Sequence, residues 1–262
     1  MYQQPQYVYS MDEETLSLLA DLHVHNSRQG PGSDGASLQA LALADVDVHA
    51  PLQIADVGCG TGAASILLAQ HTAAHISAVD FLPRFLAELE VRAQKAGVTD
   101  RITPYRADMQ DLPFGTGSLD VMWSEGAIYN IGFNTGVRAW RNYLKPGGVL
   151  VLTEITWLRP SVPEELSRHW DTEYPEVATA STKIKQLEEA GYVSLGYFPL
   201  SADCWLTEYY MPLEQEFAAF LARNKNSEAA QAIVEAEMRE IALYKQYAAY
   251  YSYGCYVARK ND

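Results

Sequence analysis

A loop of alternating glycines, Asp56-Val-Gly58-Cys-Gly60-Thr-Gly62, constrains this chain more than any other feature. The run Leu52-Gln-Ile-Ala-Asp-Val57 before it reads as a strand, and Ala63–Gln70 after it reads as a helix. Glycines between them let the backbone turn sharply and approach a ligand with no Cβ in the way. A strand–turn–helix unit of this kind predicts a sheet of parallel strands with a ligand crevice outside their C-terminal ends.

The flanking sequence continues that alternation. Ile76-Ser-Ala-Val79 reads as a second strand ending in Asp80, and Leu82–Ala96 as a helix with Pro83 near its start and Gly97 at its cap. Ile102–Tyr105, Leu119–Trp123 and Val149–Ile155 supply further strands, the last preceded by a tight turn at Lys145-Pro-Gly-Gly148. Val193–Leu200 and Tyr253–Arg259 supply the last two. The expected fold is α/β, a Rossmann-like, doubly wound, seven-stranded and mostly parallel sheet.

Two helical appendages are predicted around it. Met11–Leu22 and Ser37–Leu43, the latter with Ser37 as its N-cap, frame a glycine- and proline-containing loop at Asn26–Ser33 and form an N-terminal helical lid. About fifty residues separate the last two strands, too many for a simple connection. Leu213–Ala222 and Ser227–Tyr251 read there as helices of a cap inserted at about 205–251. The chain is therefore expected to be a single domain over 1–262, with a lid at 1–45, a cofactor-binding core at 46–156 and a substrate-side half at 157–262.

Charge and cysteine usage exclude several partners. With 33 acidic residues against 19 basic ones, the net charge of −14 opposes binding to nucleic acid. Apolar runs fall well short of the ~18–20 residues of a membrane span. Met1–Glu14 lacks the basic and apolar regions of a secretory signal. Cys59, Cys204 and Cys255 are far apart and without C-x-x-C spacing, so neither a disulfide framework nor a zinc site is expected. A cytoplasmic protein without a metal is the expectation; oligomeric state is left open, with a homodimer possible.

Two acids complete the ligand signal. Asp80, 22 residues after Gly58, stands at a strand end where a carboxylate can accept both ribose hydroxyls of an adenosine. Asp108, in Arg106-Ala-Asp108-Met109, follows the third strand and can accept from an adenine amino group while Met109 packs on the ring. Together with Leu112-Pro-Phe114 and Leu144-Lys-Pro-Gly-Gly148, these motifs resemble, in order, the class I S-adenosylmethionine-dependent methyltransferases over about Leu52–Ile155. Leu112-Pro-Phe114 is most similar to the quinone-biosynthesis branch. The flanks, Arg28–Ser33 and Trp205–Tyr210, look like a stand-alone bacterial subgroup acting on small molecules.

The resemblance implies methyl transfer from S-adenosylmethionine to a small acceptor, leaving S-adenosylhomocysteine. It implies cofactor contacts from Asp56, Gly58, Gly60, Gly62, Asp80, Phe81, Asp108, Met109 and Ser124, with Arg28 placed to pair with the methionine carboxylate. Ser124-Glu-Gly-Ala stands where DNA amino-methylating enzymes of this class carry an Asn/Asp-Pro-Pro-Tyr/Phe motif, which again favours a small molecule. Two alternatives remain: an NAD(P)-dependent oxidoreductase, whose loop spacing differs, and a non-catalytic S-adenosylmethionine-binding regulator.

Methyl transfer needs in-line approach of a nucleophile, and some acceptors need a base. Glu125, after the fourth strand, and His25 are the candidate catalytic residues. His23 and His25 would share one face if they lay on a strand, a weak metal signal. Eight of the 17 tyrosines follow residue 200, which concentrates aromatic lining in the cap. Tyr244, Tyr247 and Tyr251 would share a helix face, and such rings both pack and attract cations. Tyr129, Trp157, Tyr209 and Tyr247 are the candidate substrate contacts.

Overall fold

Strand residues alternate between two buried faces. On β4 (Leu119–Glu125), Val121 and Trp123 enter one core while Met122 enters the other. On β5 (Leu144–Trp157), Val149 and Val151 oppose Leu150 and Leu152 in the same way. Strands buried on both faces need helices above and below them. The computed structural model, which describes residues 12–261, supplies those layers.

The remaining strands are β1 (Gln53–Val57), β2 (His75–Asp80), β3 (Ile102–Arg106), β6 (Ala178–Thr179), β7 (Tyr192–Pro199) and β8 (Tyr251–Lys260). The sheet order is β3-β2-β1-β4-β5-β8-β7, with two-residue β6 pairing at the far end of β5. Pairing is parallel from β3 to β5 and antiparallel where β8 enters between β5 and β7. The expected seven-stranded, mostly parallel sheet is thus the main path.

One face carries α2 (Asp34–Ala44), α3 (Ala63–His71) and α4 (Pro83–Ala96). The other carries α5 (Phe133–Trp140) and α7 (Ala180–Glu189). α1 (Glu13–His23) joins α6 (Glu164–Glu173), α8 (Ala202–Trp205), α9 (Met211–Arg223) and α10 (Glu228–Tyr247) in a third, aromatic-rich cluster capping the sheet. One turn of π-helix, Leu206–Tyr210, links α8 to α9. No helix among the described residues is long and apolar enough to cross a membrane.

Local signals set several boundaries. Gly97 adopts φ +70 at the end of α4, and Ser227 accepts from the Ala230 N–H at the start of α10. Others differ from expectation. Ser33, not Ser37, caps α2, because its extended backbone lets its hydroxyl accept from the Ala36 N–H. The Lys145–Gly148 turn lies within the span of β5: register runs from Leu119↔Leu144 to Val121↔Val149, so four residues bulge opposite Asp120 alone. α10 ends at Tyr247, which puts Tyr251 on β8 instead of a shared helix face. His23 closes α1 and His25 lies in the following turn, so they do not form a strand face. The start of the predicted first helix at Met11 lies outside the described residues.

A buried charged group sits beneath the sheet. The Glu154 carboxylate on β5 accepts from the Ile155 N–H at 2.8 Å and the Tyr174 hydroxyl at 3.3 Å. Fully buried Lys183 places its ammonium 4.2 Å from the centre of the Phe133 ring. Burial pushes Glu154 up to about 7, against the opposing pull of Lys183.

Two stability predictions follow from this packing. Leu150→Ala, at 0% exposure, should cost about 2–5 kcal/mol, whereas Val91→Ala on the solvent side of α4 should stay within about 0.5 kcal/mol, both read from urea unfolding midpoints. The second concerns pH. Between its ordinary value of 4.5 and about 7, Glu154 holds in the folded protein a proton that the unfolded chain releases. Its contribution is therefore complete at low pH and is lost as pH rises through about 7. Thermal melts across that range should fall less steeply for Glu154→Gln than for the unsubstituted chain.

Candidate active site

The glycine loop is closed onto the neighbouring strand by its own backbone. The N–H groups of Gly58 and Cys59 both donate to the Val79 carbonyl, at 2.8 and 3.0 Å. Gly58 has φ +76, and a Cβ there would stand 2.3 Å from the Ala127 Cβ. Gly60 has φ +55, and a Cβ there would meet the Gln29 side-chain oxygen at 2.2 Å. Both the turn and the close approaches therefore require glycine. Gly62 caps α3, and its missing Cβ admits the Leu89 side chain of α4.

Asp80 ends β2 against this loop. One carboxylate oxygen accepts from the Gly60 N–H and the other from the Leu82 N–H, each at 2.9 Å. Burial raises its pKa, and these backbone donors counter the rise. An ionised carboxylate offers about four acceptor positions, so these two bonds do not exhaust it.

Loop and acid open into one cavity of about 230 Å³ at the C-terminal ends of the parallel strands. Of the sequence-predicted site residues, Arg28, Asp56, Gly58, Gly60, Asp80, Phe81, Met109, Glu125 and Tyr129 line it. Asp56 is pushed up to about 7 by burial, partly offset by the Ser65 hydroxyl, which donates to it at 2.6 Å.

Arg28 and Glu125 meet across the wall at 2.6 Å. Arg28 also reaches Asp34 at 3.1 Å and the Ser37 hydroxyl at 3.3 Å. Burial works against its charge, but the Glu125 and Asp34 carboxylates outweigh that and hold its pKa above the ordinary value. Glu125 further accepts from the Ser37 hydroxyl at 2.6 Å and the Trp123 indole at 2.9 Å. Both its oxygens are thus engaged in holding Arg28 and α2. That geometry suits a positioning carboxylate better than the proton acceptor expected from sequence.

The other predicted residues lie outside the cavity wall. His25 is exposed beyond the end of α1. Asp108 accepts from the Gln110 N–H in the turn after β3, while its neighbours Ala107 and Met109 face the cavity. Ser124, fully buried, donates to the Val57 carbonyl and ties β4 to β1. Trp157 packs edge-on to Tyr251. Tyr209 is buried in the cap against Tyr210 and His23. The Tyr247 hydroxyl reaches Glu165 at 2.5 Å, joining α10 to α6. These cap residues follow tertiary packing that periodicity does not reveal.

Sequence reasoning missed the residues that fasten the lid. The Gln29 side-chain oxygen accepts from the Thr61 N–H at 2.8 Å, while its amide donates to the carbonyls of His23 and Asn26. Arg92, on α4, donates to the Val24, Asn26 and Ser27 carbonyls and to the Thr61 hydroxyl. A glutamine in a loop and an arginine on a helix carry no local signal for such roles.

The methyltransferase-domain family model matches residues 54–148, the segment holding the loop, Asp80 and the β5 turn. Methyltransferase GfsG from Streptomyces halstedii is 28% identical over 154 residues, covering 55% of each chain. The chain spans about half the length of the curated relatives it matches first. The fold is shared with an S-adenosylmethionine-dependent methyltransferase from Geobacter sulfurreducens in complex with S-adenosyl-L-homocysteine. That match has TM-score 0.77 and 19% identity, covering 94% of this chain and 98% of the other. YjhP from E. coli matches with TM-score 0.79 and 20% identity, over 94% and 99% of the two chains. The family model is the general one and does not single out the quinone-biosynthesis branch. Residues 54–148 thus match the methyltransferase-domain family, and the chain as a whole shares the fold of S-adenosylmethionine-dependent methyltransferases.

Proposed function

We propose that the protein transfers a methyl group from S-adenosylmethionine to a small-molecule acceptor. The observation that carries this reading is the convergence of the Gly58–Gly60 backbone, Asp80, Met109 and Arg28 on one cavity. The residues suit the donor's chemistry from end to end. Asp80 keeps acceptor positions for ribose hydroxyls, and Met109 offers an apolar surface to adenine, with Asp108 beside it. Gly58 and Gly60 let the cofactor's amino-acid end lie close to the backbone.

Arg28 uses three of its five N–H donors on Glu125, Asp34 and Ser37. Two remain for the cofactor carboxylate, and Glu125 fixes the guanidinium plane that would present them. The bound donor supplies an electrophilic methyl on a sulfonium. The protein's part is to hold that methyl in line with the acceptor and to exclude water, which makes orientation the main source of rate. Gln29 and Arg92 contribute by pinning the segment before α2 over the glycine loop. Tyr129 and Asn130 form the wall on the acceptor side.

Calorimetric titration tests the reading. S-adenosylhomocysteine should bind and NAD should not; the reverse preference would favour an oxidoreductase. Arg28→Ala and Asp80→Ala should each weaken that binding by about 1–3 kcal/mol, the range for hydrogen bonds to charged groups. Gln29→Ala should leave the sheet's melting unchanged and speed hydrogen exchange at the Thr61 amide, because that amide loses its acceptor. Undiminished S-adenosylhomocysteine affinity in Asp80→Ala would remove the acid from the site.

A further inference from the structure

Behind the acceptor-side wall, the cap gathers polar groups that the methyl-transfer reading leaves unused. Tyr129 lines the cavity, and Tyr253 lies over its Gly126, where a Cβ would meet the ring at 2.8 Å. Glu237 and Glu240 stand one turn apart on α10. Glu240 accepts from the Tyr210 hydroxyl at 3.0 Å, and Glu237 lies 3.4 Å from the His23 imidazole. Tyr129 and Tyr253 pack in the same cluster as Tyr209 and Tyr210, which sets the two glutamates behind the cavity wall. The pKa values of the Tyr129 and Tyr209 hydroxyls are raised by burial, with the two carboxylates adding to it. Burial, with Glu237 adding to it, pushes Glu240 up to about 7.

Several atoms in this cluster have no partner. The second oxygen of Glu237, Nδ1 of His23 and the Tyr251 hydroxyl are buried without a hydrogen bond among the described residues. Tyr251 is 0% exposed, and its hydroxyl lies within the field of Glu240. A buried polar group left unpaired costs about 1–3 kcal/mol, so such a cluster beside a cavity is complementary to something that binds. The sign of that ligand is fixed by its surroundings. Two carboxylates a turn apart repel each other, and no lysine or arginine among the described residues forms an ion pair with either. The facing tyrosine rings attract cations.

We infer that the methyl acceptor is a small organic amine, bound as its ammonium ion by Glu237 and Glu240 within a box of Tyr129, Tyr209 and Tyr253. The inference rests on the methyl-transfer reading and names the substrate class of that same site. An ammonium ion supplies the donor that Glu237 lacks and separates the two like charges. A neutral or anionic acceptor without a donor at that point leaves the second Glu237 oxygen unpaired.

The test is a calorimetric series on the protein saturated with S-adenosylhomocysteine. Benzylamine, putrescine and choline serve as cationic probes, with benzyl alcohol and benzoate as the neutral and anionic counterparts of benzylamine. Benzylamine should bind about tenfold or more tightly than benzyl alcohol, and Glu240→Gln and Glu237→Gln should each abolish that preference. Both variants should keep the unsubstituted affinity for S-adenosylhomocysteine, which reports that they fold. Glu235→Gln, on the exposed side of the same helix, should keep the preference. Benzyl alcohol or benzoate binding as tightly as benzylamine, no binding of any of the three cations, or an intact preference in Glu240→Gln overturns the inference alone. Failure of the unsubstituted chain to bind S-adenosylhomocysteine overturns the methyl-transfer reading beneath it.

Discussion

The site depends on the closure of the β1–α3 loop onto the end of β2. Three backbone N–H groups, from Gly58, Cys59 and Gly60, turn toward Val79 and Asp80. The sharp turn this needs is open to glycine and closed to a side chain, because Ala127 and Gln29 occupy the space where Cβ atoms would stand. Once the loop is closed, Asp80 is held from both sides, and the strand ends that flank it frame the cavity. Parallel pairing of β1 with β2 and β4 then brings Glu125 and Ala127 to the same edge.

The lid is held to that loop by polar contacts. Gln29 and Arg92 satisfy the carbonyls of a segment with little regular structure and fasten it to Thr61. Arg28 lies just inside, with its charge balanced by Glu125 and Asp34. Removing a partner from such a buried pair leaves an uncompensated charge, and Arg28 and Glu125 are each held by more than one neighbour. The segment that covers the cavity is thus positioned by electrostatics, while the sheet beneath it is positioned by apolar packing.

Where a residue's role is set by its immediate neighbours, the chain could be read directly. The strand–glycine–helix unit, the strand-end acid Asp80 and the cap at Gly97 all express local backbone chemistry. α5, α6 and α7 were not read, because runs of 8 to 10 residues repeat the helical period too few times to stand out. Ser37 shows the limit at a single residue. Its type and position suit a helix cap, yet its hydroxyl is drawn to Glu125, 88 residues away, and Ser33 takes the capping role. Tyr247 and Trp157 show the same limit in the cap, where aromatic rings serve packing and pocket lining equally well and only the assembled neighbours distinguish the two.

By itself the amino-acid sequence determined the α/β architecture, the glycine turn and the acid opposite it, because these follow from backbone sterics and hydrophobic alternation within short windows. Tertiary structure alone decided that Arg28 faces Glu125, that Gln29 fills the space above Gly60, and that Glu237 and Glu240 gather unpartnered groups behind Tyr129. Those arrangements join segments far apart in the chain. Their energies come from buried charges and hydrogen bonds, which exist only after the fold has removed water and brought the groups together.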